Sequence, residues 1–206
     1  MSVEGRDTAW NEAVRDIIEA GRRMDQRGWV PATAGNLSRK LPDGRIAITR
    51  SGGHKGFLNA DGVIEVDAEG RPLIEGQRAS AETLLHTQLY AHDPKIGAVL
   101  HGHSIPGTVL SLDEPGPSIE LAGYELLKVF EGQSTHETSV SVPLFDNDQD
   151  IARLATVVAS SLGKMPAGYL IRGHGVYVWG PDMPTALARL EGLEFLLACV
   201  LKRRKL

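Results

Sequence analysis

A five-residue apolar run, Ile96-Gly-Ala-Val-Leu100, ends on His101-Gly-His103. It is too short for a helix and rich in small and β-branched residues, so it reads as a buried strand. A second run, Gly168-Tyr-Leu-Ile-Arg172, stops just before His174. Short buried strands alternating with stretches of helical periodicity leave few architectures open. The strands must share a sheet, and the helices must cover its faces.

The rest of the chain supplies those helices. Ala9, Ala13, Ile17, Ala20 and Met24 recur at helical spacing over residues 8–27, and Gly28 marks a stop. The segments 37–41 and 45–49 read as a hairpin around Pro42-Asp-Gly44. Segments 62–66 and 72–74 face each other across a turn at 68–70. Ser80 is placed to cap a helix that stops near Asp93-Pro94. After the histidine strand the pattern predicts helices near 105–111 and 121–131 and a strand at 139–144. A helix from Asp148 to about Leu162, strands at 168–172 and 175–179, and a helix over 183–203 complete the chain. The expectation is an α/β fold: a three-layer α/β/α sandwich around a central mixed, mostly antiparallel sheet, forming a single domain over 1–206.

Composition narrows the partners. A net charge of −4 gives no reason to expect nucleic acid or an acidic membrane surface. The basic tail Lys202-Arg-Arg-Lys205 reads as a solvated helix end, where cations complement the dipole. The one cysteine, Cys199, sits in an apolar helical stretch and reads as a packed core residue that forms no internal disulfide. No stretch approaches the length of a transmembrane helix and no signal-peptide pattern is seen, so a reducing cytoplasm is expected.

Strand periodicity puts residues i and i+2 on one face, so His101 and His103 present two imidazoles together. With His174 beside them, three neutral nitrogens could hold a metal and leave a coordination position free, as catalytic sites do. A purely structural site would need a fourth ligand, with His86, His54 or Glu82 as donors. Three elements upstream suit a phosphate. Thr33-Ala-Gly-Asn36 is a small-residue turn ending in an amide. Ser51-Gly-Gly-His54-Lys55 offers a hydroxyl, free N–H groups and a cation. Ser80 begins a helix whose N-terminus favours negative charge. Two carboxylates are candidates for proton transfer. Glu82 lies in the first turn expected after Ser80, where a dipole-complementing surface charge is the simpler reading. Glu125 lies on the predicted apolar helix, at its wet edge or in a cleft. Asp146-Asn-Asp148-Gln-Asp150 lacks the glycine and distant glutamate of a calcium loop, and a helix N-cap at Asp148 is expected instead.

These residues resemble the class II aldolase/adducin-type family over nearly the whole chain. The marks are Gly-Asn-Leu-Ser (35–38), the Ser-Gly loop (51–53), Ser-x-Glu (80–82), His-x-His (101–103) and the late His174. The stretches 81–90, 123–128, 142–151 and 169–180 are similar to a dehydratase of that family, acting in methionine salvage on a methylthio-substituted ketose 1-phosphate. The runner-up is a sugar-phosphate aldolase of the L-fuculose or L-rhamnulose type; an epimerase and a non-catalytic adducin-like scaffold are further alternatives. The resemblance implies one zinc ion per subunit on His101, His103 and His174. It implies substrate phosphate near Asn36, Ser51, Gly52 and Ser80, with Lys55 or Lys128 assisting, and acid/base work by Glu125. Glu82 stands where the family's aldolases carry their catalytic glutamate, while Ala81 replaces a serine those aldolases carry. A homotetramer with active sites between subunits is also implied.

Overall fold

The structure, a computed structural model, describes residues 3–204. Its centre is an eight-stranded sheet in the order β3-β2-β1-β4-β8-β7-β6-β5. The strands are β1 (Asn36–Lys40), β2 (Ile46–Thr49), β3 (Val63–Val66), β4 (Ala98–Gly102), β5 (Ser118–Ala122), β6 (Ser139–Phe145), β7 (Tyr169–Ile171) and β8 (Gly175–Gly180). Neighbours pair antiparallel except β6 and β7, which run parallel. The expected mixed, mostly antiparallel sheet is therefore present.

Alternation along the strands builds two cores. Leu37, Ala98, Leu100, Leu170, Val176 and Val178 face one way. There they meet α1 (Val3–Gln26), α3 (Ile105–Asp113) and α5 (Met183–Arg204). Ile46, Ile48, Val99, Tyr169, Ile171 and Tyr177 face the other way, under α2 (Thr83–His92) and α4 (Ile151–Ala159). The result is the three-layer sandwich. Among the described residues no helix is long and apolar enough to cross a membrane.

Several boundaries differ from the sequence reading. The helix expected over 121–131 is absent. Strand β5 occupies Ser118–Ala122 with only Ile119 and Leu121 buried, Gly123 turns the chain at φ +76°, and a 3₁₀ turn covers Glu125–Val129. An apolar content that satisfies a helix face also satisfies a strand with one buried side. Helix α2 begins at Thr83, with Glu82 rather than Ser80 at the N-cap position and no side-chain cap. Asp150, not Asp148, caps α4 by accepting from the Arg153 N–H at 3.0 Å. Segment 72–74 pairs only through the bridge between Val66 and Pro72. Cys199 is only partly buried. In the basic tail, Arg203 donates to the Tyr124 hydroxyl at 3.2 Å and Arg204 pairs with Glu114, so the tail also ties down the chain around β5. Lys205 lies outside the described residues.

Candidate active site

Strand register assembles the site. His101 on β4 lies opposite Tyr177 on β8, which lies opposite Tyr169 on β7. The three rings stack across the sheet, with centroids 4.1 and 4.9 Å apart. The chain leaves β4 with the His103 N–H bonded to the Trp29 carbonyl at 2.7 Å, and His174 follows β7. Glycine is required here. A Cβ at Gly175 would lie 2.2 Å from the Gly102 carbonyl oxygen and 3.0 Å from the His101 ring.

The histidines converge as expected: one ligand atom from each of His101, His103 and His174 lies within 4.8 Å of the others. Their chemistry suits a divalent metal ion. His101 Nδ1 is 2.9 Å from the Val176 carbonyl, which can only accept, so Nδ1 carries the proton and Nε2 presents a lone pair. That lone pair faces His103 Nε2 at 2.8 Å and a Glu82 carboxylate oxygen at 3.2 Å. A cation placed among these groups would satisfy them together. Burial lowers His101 to about 4, and burial with the neighbouring His101 lowers His103 to about 3, so both rings are neutral ligands at neutral pH. His174 Nδ1 is buried without a partner, leaving a second nitrogen lone pair or N–H unused by the protein.

Glu82 is no surface charge. Its carboxylate lies 3.0 Å from His174 Nε2, and it accepts from Asn36 Nδ2 at 2.7 Å and from the Tyr177 hydroxyl at 2.9 Å. Burial alone would raise its pKa. Hydrogen bonds from the His174 ring and the Asn36 amide oppose that and hold it well below the usual carboxylate range. Tyr177, raised by burial and by Glu82, stays protonated and donates.

A cavity of about 410 Å³ opens over the cluster. The sequence-predicted residues Asn36, Ser51, Gly52, Lys55, Ser80, Glu82, His103 and His174 all line it. The Lys55 ammonium donates to the Thr33 and Gly53 carbonyls at 2.7 and 2.6 Å, which leaves one of its three N–H bonds. Burial lowers Lys55 to about 8, so it is charged at neutral pH. Gly52 adopts φ +79° with open space where a Cβ would stand, while the Ser51 N–H is taken by the Arg78 carbonyl at 3.0 Å. Asn147, Asp148 and Gln149 also line the cavity, a segment that reads in the sequence as a helix start and a similar stretch, not as part of the site.

Two expected residues are not brought here. Glu125 is exposed, in the 3₁₀ turn beyond β5, and contacts Lys128 and, at 3.6 Å, His136. The Lys128 ammonium lowers its pKa. Lys128 is spent on that pair and does not line the cavity. Of the three donors considered for a structural metal, Glu82 lies at the cluster and the other two are engaged elsewhere. His54 caps the turn Lys55–Phe57, and His86 is enclosed beneath the site between Ser38 and Asn36. Tyr177 went unnoticed in the sequence. Its signal was its parity with His101 in a paired strand, visible only once the register is known.

Fold and site define a three-layer α/β scaffold whose three-histidine cluster suits a divalent metal ion. Residues 15–201 match the Class II Aldolase and Adducin N-terminal domain, and the chain belongs to that family. It is 74% identical over 197 residues to the methylthioribulose-1-phosphate dehydratase of Gluconobacter oxydans, covering 96% of this chain and 95% of that one. Against the enzyme of the same name from Granulibacter bethesdensis it is 59% identical, covering 92% and 91%. Among solved structures, YgbL from Klebsiella pneumoniae superposes with a TM-score of 0.81 at 26% identity, covering 94% of this chain and 90% of that one. The L-fuculose-1-phosphate aldolase of Thermus thermophilus superposes with a TM-score of 0.75 at 25% identity, covering 93% of each.

Proposed function

We infer that this chain is a hydro-lyase that dehydrates 5-methylthioribulose 1-phosphate to 5-methylthio-2,3-dioxopentyl 1-phosphate in methionine salvage. The observation that carries this is the 74% identity to a dehydratase over 96% of the chain, with the histidine cluster formed. The site residues below are proposals on that reading.

The substrate has a C1 phosphate, a C2 ketone, hydroxyls on C3 and C4 and a methylthio group on C5. Its phosphate docks against Ser51, Gly52, Ser80 and Lys55, with the second N–H of the Asn36 amide available beside them. This sets the register of the carbon chain and supplies binding energy. His101, His103 and His174 would hold the metal, which we propose to be one zinc ion per subunit, with Glu82 at its edge. Such an ion would supply Lewis acidity at the C2 oxygen, where spreading the charge left by loss of the C3 proton is typically worth several kcal/mol.

Two protons must then move, one off C3 and one onto the departing C4 hydroxyl. A carboxylate held below its usual range binds protons poorly, so Glu82 suits a cation better than proton transfer. Glu125 is the other carboxylate proposed for proton transfer, and its exposure supports a role in the site of a neighbouring subunit. The assembly we propose is a homotetramer with active sites between subunits, working in the cytoplasm.

Mass spectrometry of the products formed from methylthioribulose 1-phosphate tests the reading. Loss of one water is expected. Release of dihydroxyacetone phosphate would mean carbon–carbon cleavage and an aldolase, and an unchanged substrate would overturn both.

A further inference from the structure

Beneath the cavity runs a buried chain of polar groups, of which Tyr90, Ser38 and His86 have no part in the mechanism above. The Tyr90 hydroxyl lies 2.7 Å from Ser38 Oγ, and Ser38 Oγ lies 2.7 Å from His86 Nδ1. His86 Nε2 is hydrogen bonded to Asn36 Oδ1, and Asn36 Nδ2 donates to Glu82. Ser38 and His86 are fully buried and Tyr90 nearly so.

The proton positions follow from one end. A carboxylate only accepts, so the Asn36 amide must turn Nδ2 toward Glu82 and Oδ1 toward His86. An amide oxygen only accepts, so His86 must carry its proton on Nε2. His86 Nδ1 is then an acceptor, Ser38 donates to it, and Tyr90 donates to Ser38. Every hydrogen bond points toward Glu82. Burial keeps His86 neutral, lowered to about 3, which the single-tautomer arrangement requires.

We propose that His86, in its Nε2–H tautomer, is a positioning residue that locks the Asn36 amide and through it aims the Glu82 carboxylate into the metal site. If the ring switched to Nδ1–H, it would turn a lone pair on Asn36 Oδ1. The amide would then flip and set its oxygen against Glu82. The core around α2 could be filled by an apolar side chain. A histidine there, joined at both nitrogens, is explained by the direction it gives the chain. This rests on the cavity being the catalytic one, but the tautomer is measured without turnover.

Two measurements test it. In wild-type protein loaded with zinc and selectively labelled with ¹⁵N-histidine, the His86 ring should show a protonated Nε2 and an unprotonated Nδ1. The reverse assignment, or a mixture of tautomers, overturns the proposal. The second is a pair of variants that divide the ring. In His86→Gln the amide nitrogen falls near Nε2 and can still donate to Asn36. In His86→Asn the amide reaches only toward Ser38. His86→Asn should lose roughly 10- to 100-fold in kcat, the range of outer-shell changes at metal sites, with KM within about threefold. His86→Gln should recover most of that loss. Equal losses in both, in step with a lowered Tm, would make His86 a packing residue and overturn the proposal. If wild-type enzyme does not turn over methylthioribulose 1-phosphate, the functional reading fails while the tautomer measurement stands.

Discussion

The two candidate carboxylates have opposite surroundings. Glu82 is mostly buried and accepts from Asn36 and Tyr177 while facing two histidines, on the face of the sheet covered by α2 and α4. Glu125 is exposed at the far edge of the sheet, beyond a strand with only one buried face, and meets only Lys128 and His136. Its turn is anchored in the other core by Leu127 and Phe130. One carboxylate is fixed by the fold of a single chain. The other is offered outward on a firm base. On the proposed reading, Glu82 holds charge beside the histidines, and Glu125 takes its final environment from a neighbouring subunit.

The largest effect should come from emptying the fixed half. Chelation, or His103→Ala, should cut kcat roughly a thousandfold or more, since a Lewis acid supplies several kcal/mol and each 1.4 kcal/mol is tenfold. Circular dichroism should be nearly unchanged, because the sheet is packed by apolar residues on both faces. Loss of fold on chelation would make the metal structural. Next is the outward half. Glu125→Gln should lose roughly 10²- to 10⁴-fold in kcat, the range of general acid–base catalysis, while metal content by plasma emission stays at wild-type level. Full activity in that variant would remove Glu125 from the mechanism and erase the contrast.

A smaller effect concerns substrate binding. Lys55→Met should raise KM about tenfold, consistent with loss of one partly buried charge-assisted hydrogen bond. The sign with pH follows from burial: Lys55 is lowered to about 8, so the ammonium is present below that pH and lost above it. KM of the wild type should therefore climb as pH rises through about 8 and approach the Lys55→Met value, which itself should stay flat there. A flat wild-type profile would separate Lys55 from the phosphate. The smallest effect is on stability. Gly175→Ala sets a Cβ against the Gly102 carbonyl and the His101 ring, and such overpacking typically costs about 1–3 kcal/mol. Calorimetry should show Tm lower by several degrees.

The sequence carried the site unevenly, for physical reasons. His101, His103 and His174 were legible because strand periodicity and glycine spacing are local, and the register of β4 against β8 then brought them together. The cavity-lining residues Ser51, Gly52, Lys55 and Ser80 were legible for the same reason, as turn and loop chemistry. The chain from Tyr90 to Glu82 was not, because its members come from β1 and α2 and meet only through tertiary packing. The helix expected over 121–131 failed where apolar alternation fits two periods. Of the two placements left open for Glu125, wet edge or cleft, the exposed one is found, in a 3₁₀ turn beyond a strand rather than on a helix.

Mixing subunits tests the divided site most directly. A chain carrying His103→Ala and a chain carrying Glu125→Gln should each be nearly inactive as homo-oligomers. Co-refolded in equal amounts they should regain about a quarter of wild-type turnover, because random pairing joins an intact metal site to a neighbour's intact Glu125 in that share of sites. Activity that stays at the level of the separate variants would mean that both groups serve the same chain, and the account of an outward-facing acid would be contradicted.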